Sequence, residues 1–189
     1  MPPLILDVQP LSLNTDQFYA LAQANRNLRL ERSAQGSLVI MPPTGWGTGN
    51  RNLKIAQRLA NWADADGTGL GFDSSTGFIL PNGAIRSPDA AWVQQARLLA
   101  LNPDPDKFLP LCPDFVVELR SASDDLAGLQ IKMQEYLDNG LRLGWLLNPQ
   151  GQSAEIYRDG QIVEVLSKPT SLSGEGILPG FTLSLSGIF

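Results

Sequence analysis

The chain has 189 residues, of which 43% are hydrophobic and 17% charged, a balance typical of a globular protein. Its net charge of −5 argues against non-specific binding of polyanions through overall charge, although a local basic surface stays possible. The absence of histidine excludes imidazole-based catalytic triads, imidazole general bases and most transition-metal sites. Any metal ion would therefore be bound by oxygen ligands, which suits magnesium, manganese and calcium.

The length predicts a single domain over residues 1–189, and no linker interrupts it. No apolar run reaches the length of a membrane-spanning helix, and the N-terminus lacks the pattern of a signal peptide. The one cysteine, Cys112, cannot form an internal disulfide, which suits the reducing cytoplasm. We therefore expect a cytoplasmic protein without a membrane partner.

The first half of the chain alternates helices with short strands. Polar residues at 14–16 predict the start of a helix that ends near residue 25. Alternating apolar residues predict strands at 28–31, 37–41, 69–73, 76–80 and 90–93. A long amphipathic helix is predicted over 50–66, with an inward stripe of Leu53, Ala56, Ala60 and Ala63.

This long helix and the loop before it carry two features that bear on ligand binding. Arg51, Lys54 and Arg58 lie together at helical spacing and form either a solvated face or a surface for nucleic-acid phosphates. The glycines at 45, 47 and 49 precede the predicted helix, where backbone amides can cradle a phosphate. Because their spacing fits neither the dinucleotide pattern nor the P-loop, a mobile loop at the mouth of a site is the preferred interpretation.

The second half is organised around a buried strand predicted at 115–119. Alternation places Phe115, Val117 and Leu119 on one face and Val116 and Glu118 on the other. A carboxylate within such an apolar strand is costly unless it is paired or bound to a metal ion. Further along, the pattern predicts a helix over 125–139, a strand over 144–147, a hairpin over 154–166 and a last strand within 181–189.

Two acids stand where neighbouring strands of one sheet would bring them together. Asp89 immediately precedes the predicted strand 90–93, and Glu118 lies near the end of the strand 115–119. Two such carboxylates can share a divalent ion that polarises a phosphoryl oxygen and acidifies a water molecule. Asp114 is a poorer partner for Glu118, because four residues of extended strand separate them by roughly 13 Å.

Two basic residues are candidates for assisting this pair. Arg120 follows Glu118 by two residues, on the same strand face, and Lys132 lies on the next predicted helix. A nearby cation would offset the charge that develops at a reacting phosphate. Structural alternatives stay open for each candidate: Asp89 as a turn residue, Glu118 in an ion pair with Arg120, and Lys132 as a lysine at the edge of a buried helix face.

Several segments resemble the Uma family of restriction-endonuclease-like proteins. The resemblance is carried by Ser87–Val93 and Pro113–Ser121, and it extends through Ser37–Gly45, Lys132–Tyr136 and Leu143–Pro149. It covers about residues 28–158, and the family itself resembles the PD-(D/E)xK nuclease superfamily. The fold that this implies is an α/β restriction-endonuclease-like core, a central mixed β-sheet flanked by helices, with additional β-hairpins.

The resemblance also implies roles for particular residues. Asp89 and Glu118 would be the catalytic acids that bind Mg²⁺ or Mn²⁺, with DNA as the substrate. The lysine that usually follows the second acid by two positions is replaced by Arg120, whose guanidinium is too basic to transfer a proton. Lys132 would supply the amine from the helix instead. Tyr136, which completes a helix element with Lys132, and Glu31, near the first strands, would have supporting roles.

The sequence therefore predicts a metal-dependent DNA endonuclease, expected as a homodimer because duplex cleavage needs two scissions. The alternative is a catalytically inactive module of the same fold that binds nucleic acid or a protein partner. The substitution at Arg120 and the acidic net charge favour this alternative. The position of the Lys132 amine distinguishes the two, since charges couple within about 4–6 Å.

Overall fold

The computed structural model describes residues 3–189. The helices are α1 (Thr15–Ala24), α2 (Trp46–Asp66), α3 (Gln95–Leu101) and α4 (Leu126–Asp138), and a short 3-10 helix covers Gln9–Leu11. The strands are β1 (Leu4–Leu6), β2 (Arg29–Arg32), β3 (Leu38–Met41), β4 (Gly69–Asp73), β5 (Phe78–Ile79), β6 (Ile85–Arg86), β7 (Ala90–Gln94), β8 (Phe115–Leu119), β9 (Leu143–Asn148), β10 (Ser153–Arg158), β11 (Glu164–Ser167), β12 (Ser171–Ser173) and β13 (Thr182–Ser184).

The main sheet has six strands in the order β11-β10-β9-β8-β7-β4. Strands β8 and β9 run parallel, because helix α4 carries the chain back across the sheet between them. The other neighbours pair antiparallel, so the sheet is mixed. This arrangement confirms the predicted α/β class with a central mixed sheet.

Both faces of β8 are covered, and its side chains alternate between two cores as the sequence predicts. The odd-numbered residues of β8 pack in a cluster with Ile55 and Leu59 from α2. Val116 points the other way and packs with Met133 and Tyr136 from α4. Every residue of this strand is buried, so Glu118 lies inside the protein on the side of α4.

A second, antiparallel sheet has the order β1-β3-β2-β6-β5, and it packs on α1 through a small core that contains Phe18 and Ile85. Strand β6 pairs with β2 and is followed, after the three residues 87–89, by β7 of the main sheet. The chain therefore passes from one sheet to the other at Asp89. This passage brings β2, with Glu31, next to the end of β8.

Local sequence signals set the ends of the helices close to their predicted positions. Asn14 caps α1 by accepting a hydrogen bond from the Gln17 amide at 2.9 Å, and the Gln17 side chain accepts one from the Asn14 amide, a capping box. Asp125 caps α4 by accepting from the amides of Ala127 and Gly128. Such caps satisfy amide groups that a first helical turn leaves without partners.

The start of α2 differs from the prediction. The helix begins at Trp46, so Gly47 and Gly49 lie in its first turn, and the Gly49 amide donates to the Gly45 carbonyl at 3.0 Å. The expected mobile loop at this position is therefore wrong. Glycine lowers helix propensity by only about 1 kcal/mol per residue, and the packed remainder of α2 outweighs that cost.

The predicted inward stripe of α2 is also wrong in part. The buried residues are Ile55, Leu59 and Ala63, whereas the Leu53 side chain is 65% exposed. The helix presents to the sheet the face on which the larger apolar side chains recur every four residues. Helix α3 was not predicted, and it follows directly from β7.

The C-terminal segment returns to the main sheet and covers it. Phe181 stacks on Trp145 of β9 with ring centroids 5.9 Å apart, and the Trp62 indole of α2 donates to the Pro179 carbonyl at 3.2 Å. The predicted last strand is present as β13, paired with β12. Within residues 3–189, no helix has the length and hydropathy that a membrane span requires.

Candidate active site

The pairing of β7 with β8 brings the two predicted acids together. Ala90 lies opposite Val117 in this antiparallel pair, so the same register extended by one residue places Asp89 opposite Glu118. Residues in such positions have side chains about 5 Å apart. The Asp89 Oδ2 atom also accepts a hydrogen bond from the amide of Leu119 at 2.8 Å, which fixes the carboxylate beside the end of β8.

Helix α4 places the Lys132 ammonium between two carboxylates. The Lys132 Nζ atom lies 2.9 Å from Glu118 Oε1 and 2.9 Å from Glu31 Oε1. The lysine side chain is only 11% exposed and the two glutamates even less. Lys132 is therefore not a solvated lysine at a helix edge, and its amine lies well within the range where its charge couples to Glu118.

Glu31 holds Lys132 from the opposite side and is itself held by β6. Its Oε1 atom accepts from the Ser87 amide at 3.0 Å, and Oε2 pairs with Arg86 Nη1 at 3.1 Å. Arg86 in turn pairs through Nε with Glu135 of α4 at 2.6 Å. Arg86 and Glu135 were not predicted, although an arginine that ends a short strand next to Ser-Pro-Asp was a visible signal.

Tyr136 lies one helical turn beyond Lys132 and contacts the same carboxylate. Its hydroxyl donates a hydrogen bond to Glu118 Oε1 at 3.0 Å, and its ring is fully buried. Residues four apart share one helix face, which explains why both side chains reach Glu118. Glu118 Oε1 is thus occupied twice, whereas Oε2 accepts no hydrogen bond from the residues described here.

Burial and neighbouring charges give the carboxyl groups different affinities for protons. Burial, reinforced by the charges of Asp89 and Glu31, raises the pKa of Glu118 to about 7 despite the opposing charge of Lys132. Burial also raises the pKa of Asp89. For Glu31, burial is outweighed by Lys132 and Arg86, so its pKa is lowered. Glu31 therefore serves as a permanent anion, whereas Glu118 can exchange a proton for a cation.

Lys132 is an ammonium ion in this environment. Burial alone would lower the pKa of Lys132, but the charges of Glu118 and Glu31 outweigh it, so the pKa is raised. An ammonium has three N–H donors, and two point at the glutamates. Lys132 can thus donate to a ligand and stabilise negative charge, but it cannot act as a general base.

The residues present fit a hard divalent cation. Four buried or half-buried carboxylates (Asp89, Glu118, Glu31, Glu135) face two cations, Lys132 and Arg86, which leaves an excess of negative charge when all are ionised. Within residues 3–189, no cluster of three or more acidic, cysteine or histidine side chains can hold a metal ion. An ion here would have two protein carboxylates and complete its shell with water and substrate oxygens, as magnesium does.

Asn52 of α2 is a site residue that the sequence did not reveal. Its Nδ2 atom donates to Asp89 Oδ1 at 2.8 Å, and its Oδ1 atom is buried without a donor in the described structure. A buried polar atom without a partner is rare and needs an explanation such as a bound water or ion. One signal was available: Asn52, Ile55 and Leu59 share a helix face, so a polar residue stands in the buried stripe.

Arg120 does not form the ion pair with Glu118 that was one of its two expected roles. The other expected role, assistance at the phosphate, stays a prediction. Its guanidinium donates to the Asp124 carbonyl at 3.3 Å and to Asn148 Oδ1 at 3.2 Å. No ion pair between Arg120 and Glu118 occurs in residues 3–189. Arg120 lies just beyond the end of β8, where its side chain turns towards the 121–124 loop, and Lys132 already occupies the carboxylate.

Two residues of the basic stripe on α2 bind the chain itself. Arg58 donates to the carbonyls of Ser184 and Ser186, and Lys54 Nζ lies 3.5 Å from the Gly187 carbonyl. These contacts fasten the C-terminal segment to α2. The expected binding of nucleic acid by Arg51, Lys54 and Arg58 stays a prediction.

A family model described as "Uma2: Putative restriction endonuclease" matches residues 15–186. Because the match covers most of the chain, the protein belongs to the Uma2 family, and the resemblance seen in the sequence is confirmed. None of the curated proteins matches the chain.

One solved structure extends the comparison to the whole fold. It is described as a "putative nuclease belonging to DUF820 from Anabaena variabilis ATCC 29413" and aligns with a TM-score of 0.78 over 94% of this chain and 97% of that chain. The two sequences are 16% identical, so this likeness establishes the fold alone. It supports the mixed α/β fold with a large central sheet that the structure shows.

Proposed function

We propose that the protein is a magnesium-dependent nuclease that hydrolyses phosphodiester bonds in DNA. The observation that carries this proposal is the position of the Lys132 ammonium, 2.9 Å from Glu118. Glu118 belongs to the strand pair that sets it opposite Asp89. Two acids that can hold a metal ion and a cation beside them suit metal-assisted phosphodiester hydrolysis, and family membership supports the same chemistry.

Asp89 and Glu118 would hold the metal ion. When bound, Mg²⁺ polarises a phosphoryl oxygen and lowers the pKa of a coordinated water. Tyr136 and Lys132 occupy Glu118 Oε1 and so direct Oε2 towards the cation. Asn52 and the Leu119 amide hold both oxygens of Asp89 from the side, which fixes its rotamer before any ligand arrives.

Lys132 would act on the phosphate itself. Its third N–H can donate to a non-bridging oxygen of the scissile group and offset the charge that develops there. Glu31 keeps the ammonium charged and stationary, because it binds Lys132 from the opposite side and is fixed by Arg86 and the Ser87 amide. Lys132 would thereby supply the amine that related nucleases take from the lysine two positions after the second acid, where this chain has Arg120.

The test is calorimetric titration of magnesium or manganese into the wild-type protein and the isosteric variants Asp89→Asn and Glu118→Gln. We expect a single class of sites that either substitution abolishes. Asp114→Asn is the matched control, since Asp114 is an equally buried acid at the other end of β8. This variant should bind metal as the wild type does. DNA cleavage by the wild type should require the added metal.

No binding in the wild type would overturn the proposal. DNA binding without metal binding or cleavage would favour the inactive module instead, and the replacement at Arg120 is the observation that supports that alternative.

A further inference from the structure

A groove with a volume of about 630 Å³ runs between α1, β2 and the turn at residues 73–76. Its walls include Tyr19, Arg26 and Arg29, and its far end reaches Glu31 and Ser87. The volume lies in the range of small-ligand pockets. A volume of this size suits a short length of one nucleic-acid strand.

The groove exposes positively charged side chains although the protein as a whole is acidic. Arg26 and Arg29 are exposed, and the Lys107 ammonium lies 4.2 Å from the centre of the Tyr19 ring at the rim. Two acids line the groove as well. One of them, Glu31, pairs with Lys132 and Arg86. The other acid among the described lining residues is Asp106.

The groove leads to the candidate active site. Ser87 lies two residues before Asp89, and Glu31 shares Lys132 with Glu118. A polyanionic strand lying in the groove would thus run from the arginines to the candidate active site.

We infer that this groove binds the sugar–phosphate backbone of the strand being cut, with Arg26 and Arg29 contacting phosphates beside the scissile group. The inference rests on the proposed nuclease function. Arg29 is partly positioned for this role, since its Nη2 atom donates to the Ser74 carbonyl at 3.2 Å and its other N–H groups stay available. Arginine is well suited to phosphate because its planar fork donates two parallel hydrogen bonds.

The basic stripe of α2 is the competing surface. Lys54 and Arg58 contact the C-terminal segment, so some of their N–H groups are engaged there. The arginines of the groove lie on the side of Glu31. This difference favours the groove as the route to the site.

The experiment measures DNA binding in the Asp89→Asn background, which prevents cleavage. The test variants are Arg26→Gln and Arg29→Gln. The control is Lys168→Gln, which removes the same charge from an exposed lysine next to β11. Fluorescence anisotropy with a single-stranded oligonucleotide and the corresponding duplex, over a range of salt concentrations, gives the affinity and its salt dependence. Thermal melts verify that all variants fold.

Each arginine variant should bind the single strand about tenfold more weakly. The slope of log K against log salt should fall by about 0.7 per lost phosphate contact, and Lys168→Gln should change neither quantity. Arginine variants that match Lys168→Gln would overturn the groove assignment and leave the proposed nuclease intact. A loss confined to the duplex would overturn the single-strand assignment, and absence of DNA binding by the parent would overturn both proposals.

Discussion

The two ends of strand β8 each bury an acid, and they differ in what surrounds it. Asp114, before the first residue of the strand, pairs with Arg97 at 3.0 Å and with Arg142 at 3.7 Å, and both arginines are more than a third exposed. Glu118, near the last residue, pairs with a buried lysine and faces further carboxylates. One acid therefore has an excess of positive partners that reach into water, and the other has an excess of negative neighbours inside the protein.

The difference shows how to distinguish a structural ion pair from a candidate site. At Asp114 the negative charge is compensated by two partly exposed arginines. The Asp114 carboxylate also accepts a hydrogen bond from the Gln94 amide at 2.9 Å. At Glu118 the compensation is incomplete, and a bound cation would balance it. A buried acid is thus a weak functional signal by itself, whereas a buried acid with a second carboxylate opposite it is a strong one.

The largest expected effect comes from Lys132→Met, which leaves Glu118 and Glu31 without their shared cation. Breaking a buried ion pair from one side costs about 3–5 kcal/mol. The corresponding change at the other end of β8, Arg97→Met, should cost at most about 1 kcal/mol, because that arginine is partly exposed. Urea denaturation of both variants measures the difference, and equal losses would show that the two ends of β8 do not differ energetically.

Asn52→Ala should weaken magnesium binding by about 10–100-fold, the usual effect of removing a group that orients a metal ligand. The reason is that Asp89 Oδ1 loses its donor and the enclosed carbonyl of Asn52 is removed. Calorimetry measures the affinity, and Gln57→Ala is a control on the exposed side of the same helix. Magnesium affinity equal to that of the Gln57 variant would remove Asn52 from the site.

Magnesium affinity should rise with pH up to about 7, by as much as tenfold per pH unit, because the proton and the metal compete for Glu118. The stability of the metal-free protein should change in the opposite direction. The pKa of Glu118 is raised by burial from 4.5 to about 7, so its stabilising contribution is present below about pH 4.5 and is lost as the pH rises through 7. Glu118→Gln, which abolishes magnesium binding, should flatten the pH dependence of stability of the metal-free protein. A pH-independent magnesium affinity in wild type would contradict the assignment.

The smallest effect is expected for Arg120→Ala. Its partners are Asp124 and Asn148 and not Glu118, so metal affinity should stay within twofold of wild type, as judged by the same titration. Stability should fall by about 1 kcal/mol, the value of a typical hydrogen bond. A loss of metal binding comparable to that of Glu118→Gln would restore Arg120 to the site.

The sequence revealed most of the fold and the centre of the site. The strand at 115–119 and the capped helices follow from alternation and capping residues, which act locally. The pairing of Asp89 with Glu118 follows from the expectation that their strands are neighbours in one sheet. The Glu31–Lys132 ion pair was not predicted, because it joins residues that are 101 positions apart. The family resemblance implied only separate roles for these two residues. Arg86, Glu135 and Asn52 were missed for the same reason: their roles depend on how the two sheets and α2 meet.

The large separation of the site residues in the sequence affects when, during folding, the candidate site is assembled. Glu31, Asp89, Glu118 and Lys132 come from β2, the passage between the sheets, β8 and α4, and loop-closure entropy makes contacts between such distant segments form late. A chain emerging from the ribosome would have the first carboxylate long before the lysine that neutralises it. The complete constellation exists only in the finished fold, so incomplete or locally opened molecules would lack the proposed nuclease site.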